Sequence, residues 1–175
     1  MSPSRDPMAG TAGSRSLLNL YEVKVDGVRR HFVCLLDPVL AGARVIDARA
    51  IVGEYSPGPS GGFDPRTFQP NPAFIEAFTR FMNDVAAHAP EVVREALALR
   101  SQWLYIIDSR HPNDPDIDPP PGDIIGCFAI DGTGQIVPNS FQYNTNHVWF
   151  DPSSGVSGLF SDRRFYAWLH PEARS

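Results

Sequence analysis

The clearest pattern at the start of the chain has a period of two. Leu20, Glu22 and Lys24 alternate with Tyr21, Val23 and Val25, the mark of a strand with unlike faces. Asp26-Gly27 follows, a pair that tolerates the positive φ of a two-residue hairpin turn, so NLYEVKVDGVRRHFVCLL predicts a β-hairpin. Its second strand becomes continuously apolar from Phe32 to Leu36, which predicts burial on both faces there. Residues 43 to 55, with Val and Ile clustered at the ends, predict a third strand, a helix being the weaker option. SPGPSGGFDPRTFQPNP, rich in Pro and Gly, predicts a loop.

The period then changes to that of a helix. Asn71 can cap and Pro72 suits the first helical position, while Phe74, Phe78, Phe81, Met82 and Val85 recur along one face. A second helix starts at Pro90 and runs through PEVVREALALRSQ, with Val92, Val93, Ala96, Leu97 and Leu99 as its apolar set. Beyond it the chain returns to strands at 103 to 108 and 123 to 131, both short apolar runs that predict burial. The turn Asp131-Gly132-Thr133-Gly134 leads into QIVPNSFQYN, and HVWFD follows. SDRRFYAWLH closes the pattern as an amphipathic helix, Phe165, Trp168 and Leu169 on one side and Arg163 and Arg164 on another. Strands and helices come in separate blocks, which predicts an α+β fold: a mostly antiparallel sheet, from the N-terminal hairpin and a C-terminal meander, packed on two central helices and a short C-terminal one. No internal repeat shows in the pattern. Residues 1–16, small and polar, predict a disordered tail, and 17–175 a single globular domain.

Composition narrows the function. A net charge of −5 disfavours sequence-independent nucleic-acid binding, which needs a basic face, and is compatible with a basic protein partner. No apolar run is long enough to span a bilayer and no secretory leader opens the chain, so the expectation is a cytoplasmic protein. One lysine, Lys24, among fifteen basic residues suggests a GC-rich bacterial source. Cys34 and Cys127 each sit in an apolar run and read as free buried thiols.

Candidate chemistry centres on DSRHPNDPDIDPPPGD, residues 108 to 123. Asp114, Asp116 and Asp118 have the spacing that begins a calcium loop, but the sixth position is Pro119 and the twelfth Ile125 in place of Gly and Glu. The metal reading therefore loses its two specific positions, and neither metal nor cofactor is assigned. A stiff acidic surface with Arg110 and His111 at its mouth remains. Tyr143, Asn144 and His147 join it as candidate partner-binding residues if their strand lies beside 103 to 108, and Arg163 and Arg164 form a second candidate patch. The same histidines support an enzyme reading, a small hydrolase or transferase using His111 or His147 with Asp108 or Asp123. No nucleophile elbow, phosphate-binding loop or Walker lysine accompanies them.

In the C-terminal half, IGCFAIDGTGQI, HVWFD and SDRRFYAWL, with NPAFIEAFTRFMND before them, resemble the SUKH superfamily, many of whose bacterial members are toxin-immunity proteins. The likeness covers residues 72 to 84 and 123 to 170. The helix 90 to 102 and the N-terminal hairpin depart from the family pattern. The resemblance implies a non-enzymatic protein that neutralises a toxin, a basic toxin domain being the partner class, through an acidic, loop-rich surface. Three function classes stand at this point: a binding protein, an enzyme, and a structural subunit that dimerises through its aromatic C-terminal face.

Overall fold

The computed structural model describes residues 17–35, 47–99, 103–112, 114 and 116–171. In chain order the elements are β1 (Leu18–Val25), β2 (Val28–Leu35), β3 (Ile51–Tyr55), β4 (Gln69–Pro70), α1 (Pro72–Asp84), α2 (Pro90–Leu99), β5 (Trp103–Ile107), β6 (Ile124–Ala129), β7 (Gln142–Tyr143), β8 (Phe150–Asp151), β9 (Gly155–Val156) and α3 (Arg163–Leu169). Among the described residues all strand pairs are antiparallel, and the fold is α+β as the sequence predicts. The tail 1–16 lies outside the described residues. The globular part divides into two compact units: one from the chain up to Ala77 together with the chain from Phe160 on, the other Phe78–Leu159.

The first unit is built on the sheet β1-β2-β3-β4. Its hairpin turns at Asp26 and Gly27, with φ of 49° and 83°, a conformation the turn requires and these residue types tolerate. Of the continuous apolar run, Val33, Cys34 and Leu35 are buried and Phe32 is half-buried, while Leu36 lies outside the described residues. Phe74 packs edge-on to Phe165 at 5.6 Å between centroids, and the ring of buried His170 places Nε2 2.9 Å from the Leu35 carbonyl. Asn71 accepts from the Ala73 N–H and so caps α1.

The second unit holds the sheet β5-β6-β7 and the hairpin β8-β9. Phe78, Phe128, Phe141 and Trp149 form its aromatic core, Phe78 meeting Phe141 and Trp149 edge-on. The apolar set of α2 is a departure from expectation. Ala96 is buried, whereas Val93, Leu97 and Leu99 are exposed. Leu97 instead borders the Asp131–Gly134 turn, in a cleft of about 710 Å³ that also takes in Asp84, His88, Gln135 and Asn139.

A repeat invisible in the hydrophobic pattern joins the two units in kind. At one constant offset along the chain, Ile51, Gly53, Gly61, Pro65, Phe68, Gln69 and Asn71 recur as Ile124, Gly126, Gly134, Pro138, Phe141, Gln142 and Asn144. Backbone and contacts recur with them. β3 and β6 each carry the central glycine because the following Phe ring lies across it. A Cβ on Gly53 would sit 2.5 Å from the Phe68 ring, and one on Gly126 2.6 Å from the Phe141 ring. Gly61 and Gly134 take the same left-handed conformation, φ 81° and 87°. The Asn71 amide donates to the carbonyls of Ala48 and Ile51, and the Asn144 amide to those of Pro121 and Ile124, all at 2.8 Å. Thr67 and Ser140 each accept a backbone N–H through the hydroxyl, from Ser56 and Ala129. The pairings β2–β3 and β5–β6 slip register at matching places, Val33/Cys34 and Ile106/Ile107.

Candidate functional site

The second unit departs from the first where β5 ends. At the offset that carries Ile51 to Ile124, buried Leu35 and Phe74 are replaced by Asp108 and His147. β5 alternates faces, so Asp108 falls inward, and the Asn144 turn sets His147 opposite it with Nε2 3.1 Å from Asp108 Oδ2. The Ser157 hydroxyl donates to the same Oδ2, and the N–H groups of Gly158 and Arg110 donate to Oδ1 at 2.8 and 3.2 Å. Burial alone would raise the pKa of this carboxyl. The His147, Ser157, Gly158 and Arg110 hydrogen bonds together outweigh burial and hold it down at about 2. A Cβ on Gly158 would displace the Ser109 hydroxyl and crowd Asp108 Oδ1, so glycine gives the carboxylate its closest backbone approach.

Arg110 extends the network. Its Nε lies 3.1 Å from Asp123 Oδ1 and 3.6 Å from Asp108 Oδ2. Its remaining nitrogens donate to the carbonyls of Gly122, Val148 and Gly155, so the guanidinium ties three stretches of chain together. His111 places Nδ1 3.4 Å from Asp123 Oδ2 and Nε2 3.4 Å from the Ile117 carbonyl. Arg110 and His111, expected from the sequence at the mouth of the loop, are thus nearly enclosed, at 5% and 9% side-chain exposure. They fix the two ends of the acidic loop.

That clamp leaves the carboxylates outside. Asp114, Asp116 and Asp118 are all exposed, with the Asp116 N–H donating to Asp114 Oδ1. Ile117 between them is also exposed. Asn144 spends its amide on backbone carbonyls, and Tyr143 stacks on Trp149 at 5.7 Å, with burial raising its hydroxyl above the ordinary tyrosine value. In the first unit Arg164 pairs with Asp162, the N-cap of α3, and Arg163 is exposed. Among the described residues no cluster of His, Cys, Asp and Glu has a metal-binding arrangement.

Chemically, the network resembles a nucleophile–base–acid set in composition but differs in connectivity. A relay needs the imidazole between hydroxyl and carboxylate. Here Ser157 and His147 both address Asp108, and His147 Nδ1 is buried without a hydrogen-bond partner. The histidine–aspartate pairs that the sequence suggested do form, His147 with Asp108 and His111 with Asp123, as internal ties.

Sequence reasoning missed the outer face of β5. The apolar run WLYII predicts burial, yet Trp103, Tyr105 and Ile107 are 36%, 53% and 36% exposed while Leu104 is buried. The corresponding residues of β2 are Arg30, Phe32 and Cys34, where Arg30 forms a two-pronged pair with Glu54 and lies over the Phe32 ring. The residues carry no signal for it: alternation through polar Asp108 would turn Leu104 and Ile106 outward, the reverse of what the structure shows. Comparison of the chain with protein-family models, with curated proteins and with solved structures gives no match.

Proposed function

We propose that this chain is a non-enzymatic protein-binding domain of the immunity type, acting in a bacterial cytoplasm on a basic toxin domain. Its recognition surface is the outer face of β5 followed by the acidic loop. One observation carries the reading: Trp103, Tyr105 and Ile107 form an exposed apolar row, and the chain leaves it directly for Asp114, Asp116 and Asp118. Large aromatics in a row supply the apolar centre of a protein interface, and neighbouring charges steer the encounter and select the partner. The clamp around Arg110 supports the same reading, because a loop anchored at both ends loses little freedom on binding. The SUKH likeness of the C-terminal half supplies the partner class.

The test is binding of the protein encoded by the adjacent gene, followed by surface plasmon resonance. Asp114→Asn, Asp116→Asn and Asp118→Asn together should slow association by roughly tenfold at low salt and flatten its salt dependence. Trp103→Ser should raise the dissociation rate by a similar factor, about the loss of one interface anchor. A partner bound equally well by both variants would remove this surface from the function.

A further inference from the structure

Resting on the protein-binding reading, we infer that the partner binds by strand addition: an extended segment, with basic residues immediately before it, pairs antiparallel along the open edge of β5. The repeat itself shows what shape this edge accepts. In the first unit the matching strand β2 carries β3 on one side and β1 on the other, the latter pairing along its full length from Leu18↔Leu35 to Val25↔Val28. In the second unit β5 pairs with β6, and among the described residues no strand lies on its other side. The stretch that corresponds to β1 at the repeat offset is helical, falling within α2, and makes no ladder.

An open edge leaves backbone N–H and C=O groups ready for another chain, and proteins ordinarily protect such edges with charge or proline. Trp103–Ile107 has neither. The occupant's chemistry follows from direction. An antiparallel strand in the place of β1 would begin beside Asp108, the position that Leu35 holds in the first unit. Residues just ahead of that strand therefore pass the end of β5 from which the loop of Asp114, Asp116 and Asp118 departs, and positive side chains suit that approach. The strand's own side chains, alternating, meet Trp103, Tyr105 and Ile107 on one face. Backbone pairing supplies affinity and these side chains supply selection.

The probe is a synthetic peptide of two lysines followed by LNLYEVKV, the sequence of β1, added to the intact chain and read by amide hydrogen exchange. Exchange across Trp103–Ile107 should slow by roughly tenfold at saturation, and a peptide with proline in place of its tyrosine should lose the effect, since proline cannot donate to a ladder. Replacing the two lysines by glutamates should weaken binding. Unchanged exchange in β5, or equal protection by the proline peptide, would overturn the inference. So would protection of β5 that rises with protein concentration alone together with dimer in sedimentation, which would assign the edge to a second copy. Full protection retained by the Asp114, Asp116 and Asp118 to Asn chain would leave strand addition standing and sink the acidic-loop reading.

Discussion

Leu35 and Phe74 in the first unit are buried apolar side chains, and their counterparts in the second, Asp108 and His147, are a buried hydrogen-bonded pair. The backbone around the two pairs is alike, with the same asparagine bridge and the same glycine under a phenylalanine. The apolar version stabilises by exclusion from water and is indifferent to small rotations. The polar version depends on the donors gathered around Asp108, and it reaches outward through Arg110 to both ends of a surface loop. What the second unit gives up in tolerance it recovers as control over where the carboxylates of that loop stand.

The largest test of this contrast is removal of one partner. Asp108→Ala strands His147, Ser157 and the Gly158 N–H in the interior and should cost about 4 kcal/mol in denaturant unfolding. Asp108→Leu with His147→Phe copies the first unit, and should recover part of that loss but not all, because Ser157 and Gly158 still lack their acceptor. Full recovery would mean that the two versions are interchangeable. Acid sharpens the point. Asp108 in the folded chain sits at about 2, below the roughly 3.9 of an unfolded aspartate, so its contribution is complete above about pH 4 and lost as pH falls toward 2. Unfolding measured from pH 5 to pH 2 should show roughly 2 kcal/mol of this loss in the parent and a flatter profile in Asp108→Asn.

Next in size are the glycines. Gly53→Ala and Gly126→Ala each force a methyl against a ring and a carbonyl, and each should cost about 3 kcal/mol. Equal costs would establish that the repeat is energetic as well as geometric; a cheap Gly126→Ala would break the equivalence. The smallest effect belongs to the bridges. Asn71→Ala and Asn144→Ala each leave two carbonyls without a donor and one backbone N–H without its side-chain acceptor, and should each lose about 1 kcal/mol by the same measurement.

Much of the fold was legible in the residues because local chemistry decides it. Asp26-Gly27 makes its turn whatever the neighbours, and Asn71-Pro72 starts its helix for the same reason. The exposure of Val93 and Leu97 was not legible, since helical spacing says which residues share a face and not what that face meets. The outward row of β5 was missed because an uncharged run looks the same whether one face is covered or both. The repeat escaped because its identities are scattered among loop residues free to vary, and their meaning lies in contacts across a sheet. Gly53 and Gly126 were the available clue, each a lone glycine inside an apolar strand. At the site, the pairing of His147 with Asp108 was foreseen as one option. The inward turn of Arg110 was not, because an arginine beside an acidic loop is ordinarily solvated.

The doubled glycine-and-phenylalanine lock also poses a problem of recognition for the folding chain. Phe68-Gln69 and Phe141-Gln142 are built to cover the same kind of strand, so β3 could be claimed by the wrong copy. Distance along the chain arbitrates. Phe141 lies about sixfold farther along the chain from Gly53 than Phe68 does, a difference worth about 1.6 kcal/mol of loop-closure entropy in favour of the nearer partner. Proofreading of this kind needs no difference between the copies at all, and it would fail first in a chain cut and rejoined so that the near partner became the far one.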